Sequence, residues 1–148
     1  MLDRALDLAP NSALALICRS LVKTMQGQLA ESVLDATQSL RLSPFDPLRH
    51  IPECVLAGAK LAAGETEAAV QHARRAVDAN PLFTPGLATL ALCLVEDGRI
   101  AEATEITNTV LARAPDTRIS NLQERLLITN GLGIDRVGKA MRIAGIPE

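Results

Sequence analysis

Residues 76–83 read AVDANPLF, and near-copies stand at 5–12 (ALDLAPNS), 39–46 (SLRLSPFD) and 110–117 (VLARAPDT). Aligned on their prolines, Pro10, Pro44, Pro81 and Pro115, the copies are spaced by 34, 37 and 34 residues. Gly27, Gly64 and Gly98 keep the same beat, each lying 17 residues ahead of the next repeat proline. Two kinds of landmark held in fixed phase mark a structural repeat and not a chance echo.

The landmarks have a mechanical reading. An apolar-periodic segment precedes each glycine and a second one separates glycine from proline. Glycine supplies the positive φ that ends the first helix, and proline, lacking an N–H, stops the second. Each unit therefore reads as helix, tight turn, helix, stop. The pattern predicts helices near 2–8, 12–26, 29–42, 47–62, 66–79, 84–96 and 100–113, a short one near 118–127 and a last near 134–144. Pro47 and Pro85 suit first turns, and Asn11 and Asp46 suit caps. Ala69, Ala73 and Ala76 share one face, as do Ser32, Ala36 and Ser39, so that partner helices approach closely.

Composition narrows the function. The 148 residues contain no Trp, no Tyr and two Phe, and their apolar share is largely small and aliphatic, which predicts an all-α fold. A net charge of −2 and the lack of stacking rings argue against nucleic-acid binding. Cys18, Cys54 and Cys93 show no CxxC spacing and lie in helical runs, which predicts free thiols in a cytoplasmic setting and no metal site. No apolar stretch has the length of a membrane span.

The pattern resembles the tetratricopeptide repeat, whose period is about 34 residues. Leu87, Leu90, Ala91, Leu94, Gly98, Ala103 and Pro115 match the family's signature places, as do Leu56, Ala57, Gly64, Ala69, Ala73, Ala76 and Pro81 one unit earlier. Glu53 and Lys60 depart from it, and so do Arg19 and Lys23 in the first full unit. The resemblance implies an all-α, right-handed superhelix. Its parts would be the second helix of a truncated repeat at 1–10, repeats at 11–46, 47–83 and 84–117, and capping helices at 118–148. It also implies a concave side lined by the first helix of each pair. Carried over, the family's contact places fall on Leu14, Ile17, Leu21, Ile51, Cys54, Ala88, Leu92 and Val95. Such a stripe either receives a partner or is buried by neighbouring repeats or the C-terminal helix. A protein or peptide helix, or a second copy, is the expected partner, with Arg19, Lys23, Glu53 and Glu96 setting register from the rim.

Three stretches, NSALAL at 11–16, LRLSPFDPLRH at 40–50 and RIAGIPE at 142–148 following LQERL at 122–126, are similar to the C-terminal repeat tails of bacterial class III adenylate/guanylate cyclases. Related winged-helix regulators carry the same kind of tail. The likeness implies a longer parent whose catalytic or DNA-binding part lies upstream, and a regulatory or oligomerisation role for this region. No cyclase residue corresponds to any position here, so neither a catalytic residue nor a cofactor is expected. The one catalytic alternative is a hydrolase built on His50 and Cys54, four residues apart, which lacks a visible orienting group and oxyanion site. His72 is expected on a solvent face with Arg74 and Arg75, and the acids of 64–69 and 96–105 are expected to serve helix starts.

Overall fold

The computed structural model describes residues 4, 7–9, 11–126 and 129–148. Among them are α1 (Ala13–Met25), α2 (Leu29–Leu42), α3 (His50–Ala62), α4 (Thr66–Ala79), α5 (Thr84–Glu96) and α6 (Ile100–Arg113). A 3₁₀ turn (Ile119–Asn121), α7 (Leu122–Arg125), α8 (Thr129–Leu132) and α9 (Ile134–Ala144) complete the chain. The described residues form no strand, and no described helix is long and apolar enough to cross a membrane. The helix expected near 2–8 falls mostly outside the described residues, of which 4, 7 and 8 are helical.

The three glycine turns are built alike. Gly27, Gly64 and Gly98 have φ of 76°, 77° and 79°. After each glycine, the next N–H reaches back to a carbonyl of the finished helix: Gln28 to Lys23 at 2.8 Å, Glu65 to Lys60 at 2.9 Å and Arg99 to Leu94 at 2.8 Å. This closes the orphan carbonyls of the first helix and turns the chain into the second. The hairpins α1–α2, α3–α4 and α5–α6 then stack in order, α2 on α3 and α4 on α5. Ala36, Ala69, Ala73, Ala76, Ala91 and Ala103 are fully buried at these contacts, where the absence of larger side chains lets the helices close up.

Three local expectations are corrected. Ser12, not Asn11, caps α1, its Oγ accepting from the Ala15 N–H at 3.2 Å. Pro47 precedes α3, which starts at His50. There the Asp46 carboxylate accepts the Leu48 N–H at 2.8 Å, and that side-chain turn takes the backbone before the helix does. The helix near 118–127 is split into the 3₁₀ turn and α7, because the Asn121 amide oxygen accepts the Arg118 N–H at 2.9 Å and tightens the entry.

The C-terminal segment does more than close the end of the stack. Helix α8 packs on α1 and α3, while α9 packs on α5 and α6. Val137, Met141 and Ala144 are fully buried and join a continuous core that runs from Ala57 in α3 through α4, α5 and α6. Gly145, with φ 102°, ends α9, and the Pro147 carbonyl accepts the Ile119 N–H at 2.8 Å, tying the tail to the 3₁₀ turn.

Candidate functional site

The eight candidate contact residues lie on α1, α3 and α5, the first helices of the three hairpins, but they are not one open stripe. Leu14 is 54% exposed, and Leu21, Ile51 and Val95 are half-buried. Ile17, Cys54, Ala88 and Leu92 are buried, Leu92 completely. On α5 the covering element is α9. The Arg136 guanidinium donates to both Glu96 carboxylate oxygens, at 3.2 and 2.9 Å, and to the Leu61 carbonyl at 3.1 Å, so it joins the ends of α3 and α5. At the first hairpin the neighbouring element is the short α8, which packs on α1 and α3, and a Cβ on its Gly131 would sit 3.5 Å from the Leu29 side chain at the start of α2.

What stays open on α1 is apolar. Val22 and Met25, the latter 58% exposed, extend the line begun by Leu14. The contact places carried over from the family omit these two, although their spacing along α1 was a readable signal.

The charges expected on the rim are engaged within the chain. Arg19 forms two bonds to the buried Asp35 carboxylate, Nε to Oδ2 at 2.7 Å and Nη2 to Oδ1 at 2.6 Å, and Lys23 lies 3.3 Å from the same group. Burial alone would raise the Asp35 pKa, but the hydrogen bonds and charges of Arg19 and Lys23 outweigh it and hold the carboxyl below its usual range. One hairpin later Glu53 meets His72 Nδ1 at 2.7 Å, so His72 is half-buried against α3 and not on a solvent face. Asp35 and His72 occupy the same place in their units, and Ile106 follows in the third. The departures Arg19, Lys23 and Glu53 thus have a common cause: a polar residue on the second helix asks for a partner on the first. Arg74 also finds a partner, in Glu102 of the next hairpin at 2.8 Å.

The His50 and Cys54 pair does not assemble a nucleophile. The Cys54 thiol is pushed up to about 12, chiefly by burial, and is therefore protonated and unreactive. His50 Nδ1 faces the Pro47 carbonyl at 3.2 Å, and its ring packs edge-on against Phe83 with centroids 4.7 Å apart. Burial raises the Cys93 thiol as well. Thr66 Oγ1 donates to Asp97 at 2.7 Å, so the acids at the turns join neighbouring hairpins.

Residues 60–126 match the family model described as tetratricopeptide repeat. No curated protein matches the chain. Tetratricopeptide repeats are typically non-catalytic scaffolds that mediate protein–protein interaction. The match over 60–126, together with the regular stack of hairpins, supports a tetratricopeptide-repeat protein with the architecture of an all-α helical-repeat solenoid.

Proposed function

We propose that the chain is a non-enzymatic interaction scaffold that receives an apolar partner helix on the open face of α1. The observation that carries this reading is the line of Leu14, Val22 and Met25, three exposed apolar side chains that follow one another along a single helix. Leu14 and Leu21 are the anchors and Ile51 the flank. Ile17, Cys54, Ala88 and Leu92 are the floor beneath, and Val95 lies at the edge covered by α9. The parent is a larger bacterial signalling protein of the cytoplasm, such as an adenylate cyclase, in which this region regulates or oligomerises an upstream module. The stretches at 11–16, 40–50 and 142–148 support that placement. Because winged-helix regulators carry similar stretches, a transcription regulator is the second reading.

The test begins with the reading frame upstream of Met1, where cyclase or winged-helix residues distinguish the two parents. The encoded module is then titrated with this chain. Leu14→Glu with Leu21→Glu should weaken binding at least tenfold while circular dichroism stays helical. Undiminished binding rejects the α1 face. Leu92→Glu is unsuitable, since it buries an unpaired carboxylate in the core.

A further inference from the structure

A second site lies away from the α1 face, at the C-terminal end of the stack, where the third hairpin would receive a fourth. There a cavity of about 290 Å³ opens between the start of α5, the end of α6 and the segment 117–125. Ala88, Val110, Thr117 and Leu122 form its buried floor, with Pro85 and Arg125 at the mouth.

The chain itself shows what fits such a place. One hairpin earlier the corresponding position belongs to Phe83. The backbone is the same at both: the Phe83 N–H donates to the Asn80 carbonyl at 3.1 Å, and the Thr117 N–H to the Ala114 carbonyl at 3.0 Å. Phe83 fills its junction, its ring against His50 and its Cδ1 3.2 Å from where a Cβ on Gly86 would stand. Thr117 is too short to do this, and its hydroxyl turns back to the Ala114 carbonyl at 2.8 Å. The cavity therefore continues the hairpin-to-hairpin interface of the stack, with the ring missing.

The chain's other phenylalanine is Phe45. It stands one residue past its repeat proline on the loop between α2 and α3, 87% exposed, the most exposed large apolar side chain among the described residues. We infer that Phe45 of one copy inserts into this cavity of a second copy. Knob and hole occupy different parts of the molecule, so the contact is heterologous: a joined pair keeps one free knob and one free hole, and association continues into longer chains or closes as a ring.

Sedimentation velocity on the full chain tests this. Wild type should show a mean mass that rises with concentration beyond that of a dimer, or a discrete ring. Phe45→Ala removes the knob and Thr117→Phe fills the hole from within; each alone should be monomeric with unchanged helical circular dichroism. Mixed in equal amounts, the two variants should form a heterodimer and nothing larger, because one retains the hole and the other the knob. Should Thr117→Phe fail to fold, Ala114→Phe at the half-buried mouth replaces it. A wild type that stays monomeric at its highest soluble concentration, a Phe45→Ala variant that still associates, or a mixture that stays monomeric each overturns the inference. Because Leu14 and Leu21 are untouched in these variants, failure here leaves the α1 reading standing.

Discussion

Asp35 sits beneath Arg19 and Lys23, and its replacement by Asn keeps the shape while removing the charge. A hydrogen bond to a charged group contributes about 1.5–3 kcal/mol, so Asp35→Asn should lower stability by roughly that amount near neutral pH, read from urea midpoints. The sign of the pH dependence follows from the lowered carboxyl. Its contribution is complete above the unfolded value of about 3.9 and is lost as pH falls through the still lower folded value. The gap between wild type and Asp35→Asn should therefore close on acidification below about pH 4. A polar residue of the opposite kind is Thr107, whose buried hydroxyl has no hydrogen-bond partner. The first two hairpins hold Ala36 and Ala73 at this place. Thr107→Val removes the orphan hydroxyl at nearly constant volume and should raise stability by about 1 kcal/mol in the same measurement. Neither feature was legible beforehand. A charge at an apolar place announces a mismatch, whereas the partner that resolves it, sixteen residues from Arg19 to Asp35, is supplied by the crossing of two helices.

At the scale of elements the landmarks carried most of the information. Glycine and proline act through their own backbones, so the ends of α2, α4, α5 and α6 could be read directly, and the bounds of α9 as well. The start of α3 could not, because Asp46 competes for the backbone there. Helix α9 also shows how a one-sided pattern becomes energy. Met141 faces the core and is fully buried, while Ile143 faces outward, half exposed. Met141→Ala should cost about 2–5 kcal/mol, and Ile143→Ala should stay within about 0.5 kcal/mol, both measured by chemical denaturation. Equal losses would mean that α9 does not hold this face against α5.

Across the whole molecule, stability is unevenly shared. The continuous core runs from α3 to Ile146, while the first hairpin rests on a few buried apolar residues such as Leu16, Ile17 and Ala36 and on the Asp35 cluster. In a stack, each unit is stabilised mainly by its neighbours. Amide hydrogen exchange should thus be fastest in α1 and α2 and slowest in α5, which is flanked by α4, α6 and α9; uniform protection would contradict this. The sequence by itself determined the repeat, the all-α class and the hairpin turns, since these follow from residues acting on their own backbone and from apolar spacing along one helix. Tertiary structure alone decided which contact residues stay open. Solvent exposure depends on what packs from elsewhere in the chain: α9 folds back to cover α5, α1 keeps Leu14 and Met25 in water, and a threonine in place of a phenylalanine leaves a cavity at the end of the stack.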